Sequence, residues 1–149
     1  MGKREEIVAF VNQPGGLIKA LHKLQDESGY NFLSPQDIEL AADVFGMPTA
    51  SVWGTVTFYS LFSVTPRGKY VIRVCESAPC HVVGATSILS ELKRQLGVSV
   101  GETSKDGRFT LEVASCLGVC GVAPALMVNQ NIHGNLTPQS LAEILAGYV

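Results

Sequence analysis

The residues of this chain best suited to chemistry are its four cysteines, which fall as two close pairs. Cys75 and Cys80 have four residues between them, and Cys116 and Cys120 have three. A cluster of two irons and two bridging sulfides needs four thiolates, two on each iron. The spacing therefore indicates a metal site that forms when folding brings the two pairs together. Both intervening segments are predicted to be loops.

Other uses of paired cysteines compete with an iron-sulfur cluster. Two disulfides would suit a secreted protein, but the N-terminus has no signal-peptide pattern, and four cysteines in 149 residues are sparse for a disulfide scaffold. A structural zinc site also uses four thiolates, although most such sites have two residues between paired cysteines. The spacings of plant-type ferredoxins and of thioredoxin redox pairs are absent from the sequence. Spacing alone leaves zinc as an open alternative.

The residues around the cysteines favour a cluster. The second pair lies in the sequence Cys-Leu-Gly-Val-Cys-Gly-Val-Ala-Pro, where Gly118, Gly121 and Ala123 would let backbone N–H groups approach cluster sulfurs closely. Small residues such as Ser77 have the same role in the first pair. Glu76 acts in the opposite direction if it lies beside the cluster, because a carboxylate disfavours the addition of an electron. Alternatively, Glu76 is a loop residue whose charge is solvated and has no effect on a cluster.

A longer pattern surrounds the second pair. An Asp is followed by Phe-Thr, then by five residues, Cys-Leu-Gly-Val-Cys, and a closing Ala-Pro. The residues of this pattern are Asp106, Phe109, Thr110, Cys116, Leu117, Gly118, Cys120, Ala123 and Pro124. The pattern resembles the signature of the 24 kDa type 2Fe-2S subunit of NADH dehydrogenase (complex I), and the resemblance extends over residues 29–145. The same family includes small subunits of NAD-linked and electron-bifurcating hydrogenases and of formate dehydrogenases.

The resemblance implies a fold, a cofactor and a set of partners. It implies a thioredoxin-like domain in which Cys75, Cys80, Cys116 and Cys120 hold one 2Fe-2S cluster. It also implies a large partner subunit that binds FMN and NAD(P), together with further iron-sulfur subunits. Glu76 replaces a residue that is small or carries a hydroxyl in the family, so the reduction potential is not implied.

Helical patterns dominate residues 1–65, which are predicted to form a small N-terminal bundle of four short helices. The third helix has the clearest limits, since Ser34 caps it, Pro35 takes its first position and Gly46 ends it. The fourth is predicted to begin near Thr49.

Residues 66–149 show a different pattern, with the order strand, helix, strand, strand, strand, helix. A β-branched, apolar run leads into Cys75, and Phe109, Leu111 and Val113 alternate along a strand that leads towards Cys116. The last helix is predicted to begin at Thr137. The chain is therefore predicted to be α+β, with a mixed sheet and flanking helices after the helical bundle.

Composition and missing motifs exclude several classes of function. The net charge is −2 and the basic residues are scattered, which argues against binding to nucleic acid. The most apolar stretch, residues 51–64, is too short and too polar to span a bilayer. No phosphate-binding loop or G-x-G-x-x-G motif is present, so NAD and flavin are expected on another chain. Reduced cysteines indicate a cytoplasmic protein, either free of membranes or peripheral on a membrane complex through its partners.

An electron-transfer subunit without an active site of its own is the leading hypothesis. The alternatives are a free-standing thioredoxin-like 2Fe-2S ferredoxin and a zinc-stabilised interaction module. The aromatic residues Trp53, Phe58, Tyr59 and Phe62 suit either a core or a binding surface.

Overall fold

The computed structural model describes residues 2–149, which form two compact units. The first unit ends at Arg67 and the second begins at Gly68. The first contains helices α1 (Lys3–Val8), α2 (Gly16–Glu27), α3 (Pro35–Phe45) and α4 (Thr49–Phe58). The second contains β1 (Tyr70–Cys75), α5 (Ala78–Val82), α6 (Ala85–Leu96), β2 (Phe109–Ala114), β3 (Leu126–Val128), β4 (Asn131–His133) and α7 (Ser140–Ala146). The predicted α+β class is confirmed.

Helix α3 is the centre of the helical unit, because it contacts α1, α2 and α4. Its start is specified locally: the Asp37 N–H donates to Ser34 Oγ at 3.2 Å, and the Ser34 N–H donates to Asp37 Oδ2 at 3.1 Å. Pro35 lies inside this capping box, at the first position of the helix, and Gly46 ends the helix with a φ of +62°. The predicted limits of this helix are confirmed.

The aromatic residues of the helical unit divide between its core and its surface. Phe62 is buried in the core with Val52 and Val56 of α4. Within residues 51–64, the exposed large apolar side chains are Trp53, Phe58, Tyr59 and Leu61, and we call these four the aromatic surface. Helix α4 thus presents apolar side chains on both sides, which is typical of a helix with a second apolar neighbour.

The four strands of the second unit form one mixed sheet in the order β2-β1-β3-β4. Strands β1 and β2 are parallel, whereas β3 is antiparallel to both β1 and β4. Helix α6 lies between β1 and β2 in the chain and packs on both. Apolar residues of α6, α7 and one sheet face form a core that includes Ile72, Leu92, Leu111, Val128 and Leu141.

The end of the chain departs slightly from expectation. Helix α7 begins at Ser140 and not at Thr137, because residues 137–140 form a hydrogen-bonded turn. The Ser140 N–H donates to Thr137 Oγ1 at 3.2 Å within this turn. Within residues 2–149, no helix is long and apolar enough to cross a membrane.

Candidate metal centre

The sheet topology brings both cysteine segments to one edge. Strands β1 and β2 are parallel, and their last residues, Cys75 and Ala114, lie opposite each other. Cys116 therefore follows β2 at the same edge at which β1 ends. Strand β3 runs back from this edge, so the segment from Ser115 to Ala125 stays there. The Cys75 N–H donates to the Ala125 carbonyl at 3.1 Å and connects the two segments directly.

Cys80 lies on a short helix, which corrects the prediction that both intervening segments are loops. Helix α5 begins at Ala78, with Ser77 at its N-cap and Pro79 in its first turn. A serine at the N-cap with a proline in the first turn is a known signal for the start of a helix, so the sequence contains the information needed to predict this helix. The helix turns Cys80 back towards Cys75, and both side chains are buried with Ala85.

The second segment is a loop that wraps onto the first. Gly118 adopts a φ of +76°, a conformation that favours glycine, and its N–H donates to Cys116 Sγ at 3.4 Å. This is the close approach of backbone to sulfur that the small residues predicted. Leu117 and Ala123 pack against the cluster of buried residues formed by Cys75, Cys80 and Ala85, so the two cysteine segments are in contact. A 3-10 turn, Cys120–Val122, follows the loop.

The two pairs differ in burial. Cys75 and Cys80 are only 2% and 1% exposed, whereas Cys116 and Cys120 are exposed. All four are free thiols. A group held by all four would therefore have an inner side shielded from water and an outer side near the surface.

Interactions among the thiols shift their ionisation. Burial opposes ionisation of Cys75, but the Ser77 hydroxyl, the N–H groups of Ser77 and Leu117, and the Cys80 thiol lower its pKa to about 7. The Ser77 oxygen is 3.3 Å from Cys75 Sγ. Burial and the neighbouring Cys75 raise the pKa of Cys80. The hydrogen bond and charge of Cys116 raise the pKa of Cys120, and the charge of Cys75 adds to this shift.

This mutual influence means that the two pairs act on each other electrostatically. Ionising one thiol makes it harder to ionise the next, as expected for thiols that share one site. A metal centre removes this penalty because its positive charge stabilises every thiolate.

The donor atoms of the candidate site are four thiol sulfurs, arranged as two pairs. Among residues 2–149, no three His, Cys, Asp or Glu side chains are grouped around a single ion position. Each iron of a 2Fe-2S cluster takes two thiolates. His81, which follows Cys80, is exposed, and its Nδ1 lies 3.3 Å from Thr86 Oγ1. A set of four thiols arranged as two pairs thus fits the cluster in donor type and number.

Sequence reasoning missed two polar groups near the cysteines. The sequence pattern singled out Ser77 for its small size, whereas its hydroxyl contacts Cys75 Sγ. Arg73, two residues before Cys75, is buried and pairs with Glu112. A single charge within the apolar run of β1 was the signal that could have identified this pair.

Comparison with known proteins gives a consistent result. The profile of the thioredoxin-like 2Fe-2S ferredoxin family matches residues 4–149. The NADP-reducing hydrogenase subunit HndA of Solidesulfovibrio fructosivorans is 38% identical over 147 residues, which are 96% of this chain and 85% of that protein. A subunit of the NADH-quinone oxidoreductase of Pseudomonas aeruginosa is 40% identical, over 89% of this chain and 78% of the relative. The corresponding subunit of Aquifex aeolicus is 35% identical, over 97% and 89%.

Solved structures show the same fold. The air-oxidised NAD+-reducing NiFe-hydrogenase contains a chain that matches 100% of this one with a TM-score of 0.76 and 22% identity. The H2-reduced form matches 90% with a TM-score of 0.77. This chain spans about a quarter of the hydrogenase chain, 25% in the first structure and 22% in the second.

Proposed function

Because the chain belongs to the thioredoxin-like 2Fe-2S ferredoxin family, we propose that Cys75, Cys80, Cys116 and Cys120 hold its one 2Fe-2S cluster. The observation that carries this proposal is the placement of four free thiols, as two pairs, at one edge of the sheet. The first pair takes the buried side and the second pair the exposed side. We further propose that the two compact units act as two domains, a helical one and a thioredoxin-like one.

The chain is an electron-transfer subunit of a multi-subunit oxidoreductase. When bound, a 2Fe-2S cluster accepts and releases one electron at a time. The residues of this chain hold the ligands in place, shield Cys75 and Cys80 from water, and donate hydrogen bonds to sulfur from Gly118 and Ser77. None of the residues named here is assigned to transfer a proton or attack a substrate, so in this proposal the chain has no active site of its own. Its cluster exchanges electrons with a flavin on another chain.

In this proposal the flavin belongs to a large partner subunit that also binds NAD(P). Both chains are placed in the cytoplasm, because cysteines stay reduced there. The aromatic surface supports the existence of such a partner. It lies within residues 47–66, a run of twenty residues that contains no Asp, Glu, Lys or Arg. Phe58 is 80% exposed, and its ring packs edge-to-face on Tyr59 with centroids 5.1 Å apart.

Enrichment in aromatic residues and depletion of charge are the two signals that distinguish the core of a protein interface. A cavity of about 300 Å³ adjoins this surface and is lined by residues that include Tyr59, Phe62 and Val64. Its lining also includes the hydroxyl residues Thr57, Ser60, Ser63 and Thr65, so the recess is uncharged and only partly apolar. The partner face that fits here is therefore uncharged and partly apolar.

The proposal is tested on the native protein, isolated without oxygen. Two irons and two acid-labile sulfides per chain, and a 2Fe-2S EPR signal that appears on reduction, are expected. Copurification of a flavoprotein would support the subunit role, whereas a monomer with a full cluster and no flavoprotein would favour a free-standing ferredoxin. Zinc without iron would refute the cluster.

A further inference from the structure

An ion pair between a buried arginine and a half-buried glutamate connects the two strands that lead to the cysteines. Arg73 is 8% exposed and is the only buried charged residue within residues 68–149. Its Nε lies 3.1 Å from Glu112 Oε2. Arg73 is on β1, an interior strand of the sheet, and Glu112 is its register partner on β2. Placing a charge at such a position carries a desolvation cost that an apolar residue would avoid.

The pair lies on the same sheet face as Cys75. Side chains alternate along a strand, and Ile72 and Val74 belong to the core on the opposite face. Arg73 and Cys75 therefore share a face, and their Cα atoms are separated by about 6.6 Å at the usual rise of a strand. Arg73 and Glu112 form one row of the ladder, and Cys75 and Ala114 form the next row on this face.

We propose that the Arg73–Glu112 pair sets the reduction potential of the centre held by the four cysteines, with Arg73 raising the potential and Glu112 lowering it. The inference rests on the proposed function. Reduction adds one negative charge, which a nearby cation stabilises and a nearby carboxylate destabilises. Water screens the charge of Arg73 less than it screens a surface charge, because Arg73 is buried, whereas Glu112 is 24% exposed and only partly shielded. Each residue acts through its charge.

A purely structural role for the pair makes a different prediction. If Arg73 and Glu112 only join β1 to β2, removing either one should lower stability and leave the potential unchanged, or shift it in one direction through a common distortion. Opposite shifts from the two substitutions require an electrostatic origin.

The test uses the full chain with its cluster, in a redox titration with mediator dyes and dithionite, followed by EPR. Arg73→Gln is expected to lower the midpoint potential and Glu112→Gln to raise it. The double variant is expected to return towards the native value, and Arg73→Lys, which keeps the charge, to stay close to it. Arg94→Gln and Glu91→Gln are the matched controls. They remove the two members of an ion pair on α6, of which Arg94 is exposed, and are expected to leave the potential unchanged.

Shifts of the same sign in Arg73→Gln and Glu112→Gln, or no shift in Glu112→Gln, would overturn the inference. If Arg73→Gln fails to hold iron, the sign of the shift in Glu112→Gln and the value for Arg73→Lys decide the matter. Thermal unfolding of each variant reports the structural contribution separately. Failure of the proposed function would be visible in another way, as a native chain that contains no 2Fe-2S centre to titrate.

Discussion

At the scale of single residues, hydrogen bonds to sulfur show how small side chains act on the site. The Ser77 hydroxyl, on a half-buried residue, lies 3.3 Å from the Sγ atom of the buried Cys75. A donor at this position stabilises negative charge on the sulfur, and it does so more strongly when the cluster carries its extra electron. Residues beside the proposed ligands, as well as those cysteines themselves, are thus expected to contribute to the potential.

Replacement of Ser77 by Ala is expected to lower the reduction potential. One hydrogen bond contributes about 1 kcal/mol, which corresponds to a shift of about 40 mV for one electron. A dye-mediated redox titration measures the shift. Ser115→Ala removes a hydroxyl of equal size next to Cys116 and serves as the matched control. Equal shifts in both variants would show that the Ser77 hydrogen bond has no specific effect.

At the scale of elements, the start of α3 links local sequence to the packing of the helical unit. Asp37 closes the capping box with Ser34 and also accepts a hydrogen bond at 2.8 Å from Lys3 on α1. Burial would raise the pKa of Asp37, but the hydrogen bonds from Lys3 and Ser34 outweigh it and hold the pKa below its usual range. One carboxylate thereby caps α3 and joins it to α1.

Asp37→Asn is expected to destabilise the helical unit by about 1 kcal/mol at pH 7. Because the pKa is lowered in the folded state, the native carboxylate contributes its full stability above an unfolded pKa of about 4, and this contribution is lost as the pH falls through the lower folded pKa. The difference between native and variant should therefore shrink at pH 3 or below. Urea unfolding followed by Trp53 fluorescence measures it, since Trp53 is the sole tryptophan and lies on α4.

Asp43→Asn provides the matched control on the same helix. Asp43 pairs with Arg4, but both side chains are exposed, so the pair contributes little to stability. A loss as large as that in Asp37→Asn would contradict the assigned role of the capping box.

At the scale of the whole molecule, each unit has its own hydrophobic core. The helical core is formed by residues of α1 to α4, and the core of the second unit by the sheet with α6 and α7. The candidate metal centre lies entirely within the second unit. Loss of the metal should therefore leave the helical unit folded.

Cys116→Ala is expected to abolish the native 2Fe-2S signal while leaving the unfolding transition of Trp53 within about 0.5 kcal/mol of its native value. The EPR spectrum after reduction reports the cluster, and Trp53 fluorescence in urea reports the helical unit. Cys120→Ala should behave in the same way. A native EPR spectrum in either variant would remove that cysteine from the ligand set.

The aromatic surface predicts that a substitution can weaken partner binding while leaving the cluster content unchanged. Phe58→Gln is expected to weaken binding to the flavin-containing partner about thirtyfold, because truncating a central interface aromatic costs about 2 kcal/mol or more. Binding is measured by titration of the two purified subunits, and cluster content by iron analysis. Tyr30→Gln changes another exposed aromatic residue of the same unit, outside residues 47–66, and should bind normally. Unchanged binding by Phe58→Gln would exclude this surface as the contact.

The sequence by itself determined the features that depend on near neighbours. Ser34, Pro35 and Gly46 specify the limits of α3 because caps and chain-terminating conformations act within one turn. The pattern from Asp106 to Pro124 identified the family, and the spacing of the cysteines indicated a metal site, because ligand type and number are written directly in the sequence. The start of the short helix that carries Cys80 is equally local, because Ser77 and Pro79 mark it in the sequence.

Only the tertiary structure decided which pair of cysteines is buried, which aromatic residues are exposed, and which partner Arg73 has. Cys75 is shielded by Leu117 and Ala123, which are more than forty residues away in the chain. Arg73 meets Glu112 only because β1 and β2 pair in parallel. Spacing along the chain cannot encode such contacts, since burial and register depend on where distant segments come to lie. The types of the candidate ligands are thus a property of the sequence, whereas the environment around them is a property of the fold.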